Sequence, residues 1–212
     1  MEFTRILAIR HGETTWNQDK RLQGHLDIPL NERGHWQAAR AAAALRDESI
    51  AAVYSSDLSR AHQTACAIAA MQALPVQSHS GLRERHFGAL QGRTWTELEL
   101  EAPEAAQAWR TRVPDFAPGG GESLLQLRAR IQSVLDEIAA RHAGEQIVVV
   151  AHGGVLDILY RLATGLELQA PRTWTVENAA INRLLWTPEG LSLVGWADSG
   201  HLDEAADDDV SA

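Results

Sequence analysis

Short unbroken apolar runs, separated by stretches with helical spacing, give the first picture of this chain. Residues 5–9 (RILAI), 51–55 (AAVYS) and 147–151 (IVVVA) are such runs. Apolar positions in continuous succession, rather than in alternation, read as strands buried on both faces of a parallel sheet. One helical stretch covers about 31–47, where Asn31 can cap an alanine-rich segment. A second, about 58–72, is opened by Asp57. In a third, Leu124, Leu127, Ile131, Val134, Leu135 and Ile138 recur at helical spacing behind a capping box of Ser123 and Gln126. A fourth, about 154–165, follows Gly153-Gly154 and ends at Gly165. The stretch near 76–82 reads as extended, and 180–187 and 191–196, around Pro188-Glu189-Gly190, as a hairpin or two late strands.

Alternating strands and helices predict an α/β fold, a three-layer sandwich with a mostly parallel central sheet and helices on both faces. Residues 85–121 break the alternation with Trp95, Trp109, Pro103, Pro114, Pro118 and a triple glycine. They are expected to form a helical insertion over the active site. No repeat or linker divides the chain, so residues 1–200 are expected to be one domain. The end, 201–212, is acidic and expected to be disordered.

Composition changes this picture only at its edges. The apolar share of 45% suits a chain that buries a full core. No apolar run approaches the roughly 18 residues of a membrane span. The start, MEFTRIL, has an early acid and no leader-like apolar stretch. The single cysteine, Cys66, allows no internal disulfide and is expected to be a small core residue. A cytoplasmic protein follows, without membrane partners; a homodimer is compatible with the sequence. The net charge of −9 argues against nucleic acid as a partner. Basic residues are 18 arginines and one lysine, Lys20. Arginine suits two-pronged phosphate contacts, although GC-rich coding explains the bias equally well.

In open α/β sheets, ligands bind at the carboxyl ends of the strands. Four chemically capable groups leave those ends. The first strand delivers Arg10-His11-Gly12, and the strand at 51–55 leads to Arg60. The strand at 147–151 delivers His152-Gly153-Gly154, and the stretch near 76–82 leads to Arg83-Glu84-Arg85-His86. A phosphate monoester fits such a set. Arg10 and Arg60 can grip its oxygens, and Asn17 can add a neutral donor. A neutral imidazole on His11 can attack phosphorus in line. His152, as imidazolium, can stabilise the charge spreading over the phosphoryl oxygens. Glu84 is the candidate acid for the leaving alkoxide and the later activator of water. No step calls for a metal or another cofactor.

The motifs RHGETTWN, SSDLSRAHQTA, LRERHFGALQG, GGGES and VVVAHGG, in that order, resemble those of the histidine phosphatase superfamily, which includes the cofactor-dependent phosphoglycerate mutases. The resemblance implies a covalent phosphohistidine on His11, a phosphoryl group held by Arg10, Arg60 and His152, and proton donation by Glu84. It places Asn17, Gln23 and Gly24 on a substrate-side loop and gives Gly153 a backbone contact; Arg83 is added as a substrate-binding candidate. Mutases of that family carry a long insertion that supplies a lysine and an adjacent arginine pair. Here 37 residues separate Glu84 from Glu122, without a lysine, and Arg110 and Arg112 are split by Thr111. A phosphatase of small phosphorylated metabolites is therefore expected. The alternative is a mutase interconverting 2- and 3-phosphoglycerate, because Arg83, Arg85, Arg93 and Arg110 can serve a second anion and ERHFGALQG is close to the mutase version. A silent binding protein on the same fold is the third reading.

Simpler roles cover the remaining residues. His25, His35, His62, His79, His142 and His201 read as solvated or structural, His86 is undecided, and Trp36 reads as core. Trp95 and Trp109 fit either insertion packing or a substrate wall. A cysteine phosphatase needs Cys-x5-Arg, but position 72 is Gln. The segment PGGGES lacks the Lys-Ser/Thr of a phosphate-binding loop. A metal site of His11, His152 and Glu84 is disfavoured by arginines that would repel a cation.

Overall fold

The computed structural model describes residues 3–203; the rest of the acidic end, 204–212, lies outside the described residues. In chain order the elements are β1 (Thr4–Arg10), α1 (Thr15–Gln18), α2 (Glu32–Ala44), β2 (Ala52–Ser55), α3 (Ser59–Met71), β3 (Val76–Ser78), α4 (Trp95–Glu101), α5 (Pro103–Arg110), α6 (Leu124–Ala139), β4 (Gln146–Ala151), α7 (Gly153–Thr164), β5 (Ile181–Thr187) and β6 (Gly190–Asp198). Single 3-10 turns lie at Ser80–Leu82, Gly88–Leu90 and Gly200–Leu202. Six strands form one sheet among the described residues, in the order β3-β2-β4-β1-β5-β6. The strands β3, β2, β4 and β1 are parallel, and the β5–β6 hairpin continues the sheet antiparallel beside β1.

The alternating directions of strand side chains divide the core between two layers. Ile6 and Ala8 of β1 and Ile147 and Val149 of β4 pack with Leu127, Ile131, Leu135 and Ile138 of α6 and Leu156 of α7. Leu7, Ile9, Val148 and Val150 face the other way, onto Ala61, Ala65 and Ile68 of α3 and Ala42 of α2. Both faces are therefore covered, as unbroken apolar strands require. Each fully buried Leu or Ile contributes about 1.5–3 kcal/mol. The expected caps also form: Asn31 accepts from the Gly34 N–H at 2.7 Å, and Ser123 and Gln126 complete a reciprocal box. Gly165 closes α7 at φ 69°, a left-handed conformation that favours glycine. Residues 85–121 fold as two short helices around a small apolar cluster of Phe87, Leu90, Leu98 and Ala106.

Four local expectations differ from the structure. Asp57 does not open α3; it is bound two-pronged by Arg83, at 2.7 and 2.6 Å. The α3 N-terminus is instead satisfied by Asp27, whose carboxylate accepts from the Ser59 N–H and hydroxyl at 2.7 and 2.6 Å. A carboxylate from 32 residues away thus does what a neighbouring one was expected to do. Cys66 is exposed, with its sulfur 3.5 Å from His62 Nδ1. Trp36 is half-buried, with the Arg33 guanidinium 4.2 Å from its ring centre. Finally, residues 201–203 belong to the folded body. The His201 carbonyl accepts from Arg40 at 2.8 Å, and its ring reaches the Ala179 carbonyl at 3.1 Å.

Candidate active site

Strand register creates the central pair of the site. The parallel pairing of β1 and β4 sets Arg10 beside Ala151, so the next residues, His11 and His152, leave adjacent strand ends together. Their ring centres are 5.2 Å apart and their planes meet at 59°. The chain after β1 crosses to the α2–α3 face, whereas the chain after β4 enters α7 on the opposite face. The crevice lies where those connections diverge, the usual ligand position in open α/β sheets. Neighbouring β2 leads into α3, whose second residue is Arg60.

His11 is fixed in one tautomer. Its Nδ1 lies 2.7 Å from the Gly12 carbonyl, which can only accept, so Nδ1 carries the proton and Nε2 keeps a free lone pair. Burial, then the charges of Arg60 and Arg10, push its pKa well below the ordinary value of 6.5. The backbone around it is tied down: the His11 carbonyl accepts from the Asn178 amide at 2.8 Å, and the Gly12 N–H donates to Thr64 at 3.0 Å. Burial, followed by the charges of Arg60 and His11, also lowers the pKa of His152 well below 6.5, and neither ring nitrogen has a protein partner. Two buried cations next to a buried imidazole make a third charge too costly until an anion arrives.

Both arginines are anchored to backbone carbonyls and keep a donor free, Arg10 held through one terminal nitrogen and Arg60 through both. Arg10 donates to the Val176 carbonyl at 2.6 Å. Arg60 donates to the carbonyls of Leu26 and Gly24 at 2.9 and 2.8 Å. The Nε of each is buried without a partner. Orphaned buried donors are rare, because each costs about 1–3 kcal/mol. Here two guanidinium Nε atoms and the His152 ring all await an acceptor. Burial lowers the Arg60 pKa to about 10, which still leaves it charged at neutral pH.

Glu84 is gripped by backbone on both oxygens: Oε1 accepts from the Arg85 N–H at 2.8 Å and Oε2 from the Gly154 N–H, in the first turn of α7, at 3.0 Å. Its own carbonyl accepts from the His25 ring at 2.8 Å and from Arg130 at 3.3 Å. Arg130 also binds the carbonyls of Gly81 and Arg83 and pairs with Glu122, so the loop that carries Glu84 is clamped from behind. His86 stacks edge-on against His25, with centres 4.7 Å apart.

Of the residues expected on the substrate side, Asn17, Gln23 and Gly24 line the same cavity as Arg10, His11, Arg60 and Glu84, a space of about 160 Å³. Asn17 Oδ1 is taken by Thr14 at 3.0 and 3.1 Å, leaving its amide nitrogen for the pocket. Gly24 has φ +54° and offers its carbonyl to Arg60. His152 is fully buried and is not part of that lining, its ring centre 5.2 Å from that of His11, and Gly153 lines a larger cavity alongside. Arg83 is not brought there; its pairing with Asp57 turns it away. Sequence reasoning missed Arg21, Leu22 and Phe87, which complete the lining, and Gly154, which holds Glu84. Nothing local marks them, because each acts through contacts distant in sequence. Among the described residues no group of three or more His, Cys, Asp or Glu side chains is placed to hold a metal.

A sequence description of the histidine phosphatase superfamily (branch 1) matches residues 6–199. The chain belongs to this family. Phosphoglycerate mutase-like protein 4 of Arabidopsis thaliana is 41% identical over 208 residues, covering 96% of this chain and 89% of that one. The metal-independent phosphoserine phosphatase of the same plant is 42% identical over 204 residues, covering 95% and 84%. A solved mycobacterial glucosyl-3-phosphoglycerate phosphatase superposes with a TM-score of 0.83 at 33% identity, over 93% of this chain and 100% of that one. The histidine phosphatase family thus accounts for the sheet, the helical layers and the order of the five motifs. Among the described residues no helix is long and apolar enough to cross a membrane.

Proposed function

We propose that this histidine phosphatase hydrolyses the phosphate ester of a small metabolite through a phosphohistidine on His11. The observation that carries this is the free Nε2 of His11, which lines one cavity with Arg10 and Arg60, whose Nε donors have no partner, beside the unpartnered ring of His152. The Nε2 lone pair attacks phosphorus, and the bond to the ester oxygen breaks. Glu84 gives its proton to the departing oxygen, and the two N–H groups on its oxygens receive the carboxylate that forms. Water then attacks phosphorus, its proton goes to Glu84, and the N–P bond breaks to free phosphate and His11. The incoming phosphate dianion supplies the charge that favours protonation of His152. Asn17, Gln23 and Gly24 border the phosphoryl group, and Gly153 borders the alcohol. Arg10 and Arg60 do the charge stabilisation that a metal does elsewhere.

Relatives named as phosphatases support hydrolysis over transfer. So does the state of the arginines that a mutase would need. Of the four arginines that can serve a second anion, Arg83, Arg93 and Arg110 are each paired with an acid, Asp57, Glu101 and Glu99 respectively, and Arg85 is held by the carbonyls of Glu122 and Phe116. The relative named as mutase-like keeps the mutase as the second reading. The exposed free thiol of Cys66 suits a reducing compartment, and we place the protein in the cytoplasm. Incubation with a labelled phosphomonoester and an alkaline quench, in which phosphohistidine survives, should leave label on His11. His11→Ala should fold and take no label; an unlabelled wild-type protein refutes the mechanism and favours the silent reading. Release of free phosphate should exceed interconversion of 2- and 3-phosphoglycerate; the opposite makes the protein a mutase.

A further inference from the structure

Beside the phosphoryl pocket a second cavity of about 480 Å³ opens, within the usual size of a ligand site. Gly153 and Gly154 form part of its wall, and Phe87 lines both cavities. Glu84, bound to the Gly154 N–H, therefore stands between the two. An oxygen that takes the Glu84 proton points the remainder of its alcohol into the larger chamber.

The charge in that chamber is unbalanced. Arg85, Arg110, Arg112, Arg172 and Asp157 line it, Arg110 being paired with Glu99, with Phe87 and Trp109 as an aromatic side. Asp157 Oδ2 is already shared by Arg112 at 2.6 Å and Arg161 at 3.1 Å. Arg85 is satisfied by the carbonyls of Glu122 and Phe116, without a carboxylate. Arg172 has no hydrogen-bond or ion-pair partner among the described residues. Burial is the main cause of the lowered pKa of Arg10 and Arg161, and the charge of Arg172 adds to it in both.

The segment that presents Arg172 has no regular structure, yet it is anchored on both sides. Arg161 donates to the Ala170 carbonyl at 2.9 Å, Trp174 stacks on Tyr160 with centres 4.0 Å apart, and Arg10 holds the Val176 carbonyl. An unpaired guanidinium on an anchored loop, lining a chamber with surplus positive charge, lacks an anion.

We propose that the chamber receives the alcohol part of the substrate and that Arg172, with Arg112 behind it, selects alcohols bearing a second anionic group, a carboxylate or a phosphate. This deepens the phosphatase reading and rests on it for the position of the alcohol. Three non-hydrolysable ligands test it by calorimetric titration of the full chain in phosphate-free buffer at physiological salt: propylphosphonate, 3-phosphonopropionate and propane-1,3-bisphosphonate. A charged hydrogen bond gained by the tail should make at least one anionic ligand about 10–100-fold tighter than propylphosphonate; the tighter one names the group. Arg172→Met should cut that preference about tenfold and weaken propylphosphonate by a clearly smaller factor. Equal affinity for all three ligands overturns the proposal, and so does a preference that Arg172→Met leaves intact. The phosphohistidine trap keeps the two readings apart. Label on His11 without an anion preference removes the chamber's role alone, whereas an anion preference without label removes the hydrolase and leaves the chamber.

Discussion

Gly154→Ala probes the most exacting contact in the site. A Cβ there would fall well inside van der Waals contact of Glu84 Oε1, 3.2 Å from its Cδ and 3.6 Å from Oε2. The backbone tolerates alanine, because Gly154 lies in α7 without a positive φ. The carboxylate must yield, and restoring an ordinary carbon–oxygen separation moves it by about 1 Å. That shift strains or breaks the 3.0 Å hydrogen bond from the Gly154 N–H. A displacement of about 1 Å in a reacting group can cost about 10²-fold in rate, within the roughly 10²–10⁴ that a general acid supplies. Helix propensity acts in the opposite direction, by up to about 1 kcal/mol in favour of alanine. The variant should therefore melt at or slightly above the wild-type temperature while kcat/KM on an alkyl phosphate falls about 10²-fold. On p-nitrophenyl phosphate, whose leaving group departs without a proton, the loss should stay below about tenfold. Steady-state kinetics on both esters, with thermal melts, decide the matter. Equal losses on the two esters, or an alkyl phosphatase as fast as wild type, would refute the assignment of Glu84 as proton donor held by Gly154.

Two further predictions concern stability and the limits of the site. His11 and His152 are buried with pKa values held well below 6.5, so the unfolded chain binds more protons than the folded one in mild acid. Stability is then complete above about pH 6.5, where the unfolded imidazoles are neutral as well, and falls as pH drops below it. Urea titrations without phosphate should show His11→Ala losing about half of that drop, and an identical pH profile in the variant would contradict the buried neutral pair. Arg83→Ala should change kcat/KM by less than about twofold and stability by at most about 1 kcal/mol, as expected of an exposed pair outside the cavity; a large kinetic loss would return Arg83 to the substrate side.

The order of residues along the chain was enough for the framework. Unbroken apolar runs at β1, β2 and β4 required a sheet covered on both faces, and the spacing from Leu124 to Ile138 required a helix that buries one side. Caps such as Asn31 and Ser123 were legible because their partners lie three residues away. His11, His152, Arg10, Arg60 and Glu84 were legible because each follows a strand end or opens a helix, where side chains meet ligand rather than core. Folding in three dimensions added contacts with no local rule: Asp27 capping α3, Asp57 turning Arg83 away, Gly154 holding Glu84, and Arg172 brought near Arg10. The protonation of His152 belongs with them. Imidazole charge depends on burial and on neighbours supplied by other strands, and a linear pattern of residues carries neither.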